Sequence, residues 1–247
     1  MLLDIPLPPN LSKMADEETP DPSKVLCCFT IVGVLAGTVF YLTAWLLSIL
    51  SGRAAAAVIG SLLISIAYEF ATKGRMISSV ASLSESLFST ENRAEALLKL
   101  DDNVRKSHDI FGSIGMLSFF AVRMLSVGFI IFSGNASWLI IAMSAGFTMQ
   151  AQLGRLPELD TQEPFIETVP GRSAYLPWAV FAAVCIIFGI TYLPAAVMAG
   201  LLVVLSACLA AKYIPDTVGG VNGPMIGLSG YFTETAVLLL GLIFLFR

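Results

Sequence analysis

Apolar residues in this chain run in blocks rather than in short alternating patterns, and most of the blocks are long enough to cross a bilayer. Val25 to Leu50 carries no charge, and a helix of roughly 20 residues already spans the hydrocarbon, so this block predicts a first, tilted span. Ser51-Gly52-Arg53 then separates it from Ala54 to Phe70, a connection short enough to send a second span back antiparallel, with Glu69 at its end. Ile110 to Phe132, interrupted by Arg123, predicts the third span. Ala136 to Gln150 predicts a short fourth, after the turn-forming Ser133-Gly134-Asn135. Ser173 to Ala211 is uncharged and too long for one crossing, so Pro194 is expected to divide it into spans five and six. Pro224 to Phe246, which carries Glu234, is the seventh. The expected fold is all-α: a polytopic membrane protein of about seven transmembrane helices.

Three polar stretches lie between the blocks, expected as cytoplasmic loops 71–109, 151–172 and 212–223 of a single membrane domain, 25–247, that follows a cytoplasmic N-terminal arm, 1–24. The arm's Asp4, its prolines and Asp16-Glu17-Glu18 do not fit a secretory signal, and it reads as a surface or disordered segment. Composition agrees: 56% of the 247 residues are hydrophobic and 13% charged, which excludes an ordinary soluble domain. The net charge of −4 gives no sign of a nucleic-acid surface. Cys27, Cys28, Cys185 and Cys208 sit inside apolar blocks without metal-type spacing and read as small core residues. Charge also orients the chain. With the N-terminus inside, Lys13, Lys24, Arg155, Arg172, Lys212 and the loop residues Lys73, Arg75, Arg93, Lys99, Arg105 and Lys106 fall on the cytoplasmic side, against Arg53 and Arg247 outside. That bias predicts a multi-pass protein with its N-terminus inside, its C-terminus outside and all three long loops on one face.

Candidate chemistry gathers at those loops. If residues 74–88 are helical, Ser78, Ser82 and Glu85 share one face and line a polar pocket. His108-Asp109 precedes Gly112 and Gly115, and Gly219-Gly-Val-Asn-Gly-Pro224 precedes Gly227. Glycines let backbone N–H groups approach a phosphate closely, and a helix starting just beyond adds its positive dipole end. Each feature has an ordinary alternative: a solvated charge for Glu85, close helix packing for the serines, an interfacial position for His108. Arg123 and Glu234 are costly within a span and call for a partner or a polar cavity, so they are expected either to pair or to contact a substrate, while Glu69 is expected to reach the interface.

The chain resembles the cobalamin synthase family of adenosylcobinamide-GDP ribazoletransferases. Phe29-Thr-Ile-Val-Gly-Val-Leu-Ala-Gly37 is similar to that family's first span. Gly219-Gly-Val-Asn-Gly-Pro-Met-Ile-Gly227, followed by Thr233-Glu234, is similar to its GG-x-TGD-x-LG and TE motifs. His108-Asp-Ile-Phe-Gly-Ser-Ile-Gly115 is similar to D-S-R-[IV]-G-x-[FY]-G, and Gly74 to Phe88 lies without a gap on GLHLDGLADTADGLF. The family's three aspartates in that last segment fall on Ser78, Ser82 and Glu85, and TGD becomes Asn222-Gly223-Pro224.

The resemblance implies attack of a ribose hydroxyl of α-ribazole, or of its 5′-phosphate, on the diphosphate of adenosylcobinamide-GDP, with GMP released. It implies Mg²⁺, a hard cation that wants carboxylate oxygens, with Glu85 as metal ligand helped by Asp109, Asp101 or Asp102. Glu85 and Asp109 are the expected catalytic residues, and Lys106, His108, Asn222, Gly223 and Glu234 the expected substrate contacts. Expected partners are the two substrates and membrane lipid, with a homo-oligomer allowed and no nucleic acid. The replaced acids support a second reading, a corrinoid-binding or scaffold relative. The charges inside the membrane support a third, a small-solute transporter.

Overall fold

In a computed structural model the described residues are 22–89, 110–157 and 175–245, with side chains described from 28 to 88 in the first segment. The N-terminal arm, Lys106, His108 and Asp109 lie outside them, as do Asp101 and Asp102. The described residues form seven α-helices, in order α1 (Pro22–Ala71), α2 (Arg75–Ser89), α3 (Ile110–Phe132), α4 (Trp138–Leu153), α5 (Leu176–Gly189), α6 (Leu193–Val218) and α7 (Gly223–Leu245). No strand occurs among the described residues, and the chain is an all-α polytopic membrane protein.

The predicted first connection is even shorter than expected. α1 continues through it and reverses at Gly52, whose φ of 76° and ψ of 162° suit a residue without Cβ. Phe40 meets Tyr68 with ring centroids 6.3 Å apart, so arms 22–51 and 53–71 form an antiparallel hairpin. The uncharged block 173–211 breaks where Pro194 predicted: α5 ends at Gly189, a 3₁₀ turn covers Ile190–Tyr192, and α6 begins with proline in its first turn. Among the described residues four helical stretches can cross a membrane by length and apolarity: Cys28–Ala71, Ile110–Phe132, Leu176–Val218 and Gly223–Leu245. The first and third, at 44 and 43 residues, are the two that fold back on themselves.

The fourth predicted span is a helix enclosed by the others. α4 has 16 residues, begins two residues later than expected, and is buried everywhere except Gln152. Its apolarity reflects enclosure by protein, because a helix apolar on all sides is equally suited to a protein core. α4 is the axis on which the others pack. Gly33 and Gly37 bring α1 onto it so closely that a Cβ on Gly37 would lie 2.7 Å from the Ile140 Cα, and Thr30 and Thr148 hydrogen-bond across the contact at 3.0 Å. α7 approaches the opposite flank through Gly146 and Gly230, and Trp138 Nε1 donates to the Val237 carbonyl at 2.9 Å. Elsewhere Leu35, Leu50, Val58, Ile186, Leu205 and Ile243 stay exposed, as expected of side chains that face lipid.

These contacts separate the two ends of the bundle. Gly134, between α3 and α4, packs on Arg53 at one end. At the other, Met76 lies on Gly227, Gln150 Nε2 reaches Met76 Sδ at 4.0 Å, and the Val221 N–H donates to the Pro157 carbonyl at 2.8 Å. The elements flanking all three long polar loops therefore meet at one end, as the charge pattern required.

Candidate functional site

At that end α2 forms the outer layer. It is strongly amphipathic and helical throughout, which puts Ser78, Ser82 and Glu85 on one face. Its N-terminal half packs on α7, with Met76 and Val80 in one apolar cluster with Met225, Leu228 and Tyr231. Its C-terminal half packs on α3. Gly112 and Gly115 leave room there for Glu85 and Ser84, and Phe88 stacks on Phe111 at 4.9 Å. α2 thus crosses from the mouth of α7 to the mouth of α3. The glycines at the α3 mouth admit side chains of α2 instead of a phosphate.

Glu85 is half-buried against Gly112. Ser82 is fully buried and its Oγ has no hydrogen-bond partner, while Ser78 Oγ donates back to the Arg75 carbonyl at 3.0 Å. At the α7 mouth, Gly219 ends α6 in the left-handed region at φ 92°, so helix termination accounts for that glycine. Asn222 Oδ1 accepts the Met225 N–H at 3.0 Å and caps α7. Its Nδ2 is buried with no partner, and Gly223 beside it is exposed with open space where a Cβ would stand. A donor, a free glycine face and a helix N-terminus together suit an anion.

Mg²⁺ fits the described residues poorly. Hard cations take about six oxygens. Among the described residues no group of three His, Cys, Asp or Glu side chains converges, and the Glu85 carboxylate is already packed on Gly112.

A second, inner layer lies deeper. Arg123 and Glu234 are 1% and 2% exposed. Arg123 Nη2 and Nε both donate to Glu234 Oε1, at 2.6 and 3.0 Å. The guanidinium lies 4.3 Å from the Tyr68 ring centre and 5.4 Å from that of Tyr231, and the two rings stack at 5.7 Å. Tyr231 Oη donates to Glu69 Oε1 at 2.5 Å. Glu69, expected to reach the interface, is instead held inward by this bond, and its Oε2 is buried without a partner. Glu234 stands eleven residues inward from Gly223, about 16 Å at helical rise, so it shares no layer with Asn222 and Gly223.

Sequence reasoning missed Tyr68, Tyr231 and Gln150 as members of this region. The signal for the tyrosines was present: Tyr68-Glu69 and Tyr231-Phe-Thr-Glu234 each set an aromatic beside an acid within a span that must accommodate Arg123.

A family model described as cobalamin-5-phosphate synthase matches residues 1–243. Comparison with curated proteins and with solved structures gave no match.

Proposed function

The chain belongs to the cobalamin-5-phosphate synthase family, and on that premise we propose that it joins α-ribazole, or its 5′-phosphate, to adenosylcobinamide-GDP with release of GMP. A ribose hydroxyl oxygen forms a bond to the phosphorus that carries the cobinamide. The anhydride P–O bond to GMP breaks, GMP leaves with the electron pair, and the hydroxyl proton passes to a base. Glu85 is the acid in the outer layer suited to take it, with Asp109 as its expected companion. Asn222 Nδ2 and the first turn of α7 at Gly223 are suited to hold a phosphate of the diphosphate. Lys106 and His108 would add contacts from the long loop.

The observation that carries this reading is the packing of Met76 on Gly227, which joins α2 and the α7 mouth, the two segments most similar to the family's motifs. Any Mg²⁺ would take further oxygens from outside the described residues, with Asp101, Asp102 and Asp109 as candidates. The excess of Lys and Arg on the loops supports an orientation with this end, and the N-terminus, in the cytoplasm of an inner membrane.

Purified protein in detergent, given both substrates and Mg²⁺, should release GMP; no release from the unaltered chain removes the transferase reading. The serines at 78 and 82 favour one second reading, a corrinoid-binding relative that transfers nothing, for which corrinoid retention in EDTA without GMP release is the signature. A transporter is less well supported, since each of Arg123 and Glu234 has the other as its charged partner, which accounts for both charges within the spans without a solute.

A further inference from the structure

We infer that the Arg123–Glu234 pair is a positioning element that sets the register of α3 against α7, and so the alignment of the two mouths at which the outer-layer residues stand. The inference rests on the transferase reading for its consequence in turnover, and on geometry alone for the register.

Arg123 and Glu234 are 111 positions apart in sequence and directly bonded. Phe119 and Tyr231, whose rings lie 5.0 Å apart, have nearly the same separation. The two helices therefore run parallel with residue n of α3 beside about residue n + 111 of α7. Gly112, under the Glu85 carboxylate, and exposed Gly223 have that same separation, so they stand at one depth.

Little else along this pair of helices fixes the match. α7 meets α4 through glycines that seat Gln150 and Trp138, and these contacts, with the Trp138 hydrogen bond, tie it to α4 and not directly to α3. Apolar contacts such as Phe119 on Phe232, 4.7 Å between centroids, tolerate a shift because they lack direction. A guanidinium that sends two donors to one carboxylate oxygen, with Tyr68 against its face, does not. Buried ion pairs are best attested in setting registry of this kind. Tyr231 extends the node to Glu69, three residues before the turn into α2, so the hairpin that carries α2 is tied to the same point.

A diphosphate held at the α7 mouth and the Glu85 carboxylate seated at the α3 mouth work together only if the mouths are aligned, and an error of about 1 Å can cost on the order of a hundredfold in rate. Loss of register should therefore lower kcat and spare the KM of each substrate, because each mouth keeps its own contacts.

The test uses the full-length chain in detergent with its four cysteines replaced by alanine and spin labels at Ile114→Cys and Gly223→Cys. Distances come from pulsed electron resonance, and kinetics from the unlabelled chain. Arg123→Met with Glu234→Met removes both charges of the pair, so neither partner is left behind without the other. The expected result is a distance distribution broadened or moved by up to about one helical turn, ~5 Å, with kcat reduced at least tenfold and each KM within about twofold. The exchanged pair Arg123→Glu with Glu234→Arg should restore the original distance and most of kcat. An unchanged distance in the methionine pair overturns the inference, as does an exchanged pair that folds, by circular dichroism, with the methionine pair's altered distance. Should the unaltered chain release no GMP, the transferase reading falls while the distance measurement still decides the register.

Discussion

The inner and outer layers use polar residues to opposite ends. In the inner layer Arg123 bonds Glu234 and Tyr231 bonds Glu69, which holds α1, α3 and α7 together and leaves Arg123 Nη1 and Glu69 Oε2 buried beside those bonds. In the outer layer Glu85 is half-buried, Asn222 keeps an unused buried donor and Gly223 faces open space. The difference teaches where to look for function in a membrane bundle. An ionisable residue deep in a span attracts attention because it is costly, yet once paired its charge is committed to its partner. Residues at the mouth are less conspicuous in sequence and retain capacity.

Substitutions can break this contrast, and the largest effect is expected inside. Glu234→Ala leaves the Arg123 guanidinium buried and unpaired, and should destabilise the fold by about 3–5 kcal/mol, read as the midpoint of thermal unfolding in detergent; a loss under about 1 kcal/mol would mean that water or lipid headgroups reach Arg123. Gly37→Val comes next. Its side chain must enter the space held by the Ile140 backbone, for a cost of about 1–3 kcal/mol in the same assay, and a variant as stable as the parent would show that α1 does not sit on α4 as described. Tyr231→Phe removes the donor to Glu69 and should cost about 1.5–3 kcal/mol without changing the KM of either substrate.

The outer layer should respond the other way. Asn222→Ala loses the cap of α7, about 1 kcal/mol, and in addition should weaken phosphate-dependent binding of adenosylcobinamide-GDP, measured by titration calorimetry. Glu85→Gln should change stability least, below about 1 kcal/mol, and reduce GMP release at least tenfold. If Glu85→Gln instead unfolds the protein while keeping its rate per folded molecule, the two layers have been assigned backwards.

Much of this architecture was legible residue by residue. The uncharged blocks gave the helices, Pro194 gave the break between α5 and α6, and the Lys and Arg distribution predicted that the elements flanking the three loops share one end. The helical spacing of Ser78, Ser82 and Glu85 gave the polar face of α2. Other features were not legible because they depend on neighbours distant in sequence. A block such as Ala136 to Gln150 has the same composition whether lipid or protein surrounds it, so the burial of α4 could not be read from it. Gly112 and Gly115 look alike as phosphate-binding glycines and as sockets for side chains, and only the arrival of Glu85 and Ser84 from α2 distinguishes the two.

What the sequence determined alone is that this chain lies in a membrane as helices with its Lys and Arg gathered in the stretches between them, since backbone satisfaction in hydrocarbon and the free energy of charge transfer are properties of each segment by itself. Only the tertiary structure decided that Arg123 belongs to Glu234, that Glu69 turns inward to Tyr231, and that α2 bridges the mouths of α3 and α7. Pairing and packing are relations between surfaces brought together by folding, and the strength of a hydrogen bond or a close glycine contact is set by a partner that no local run of residues names.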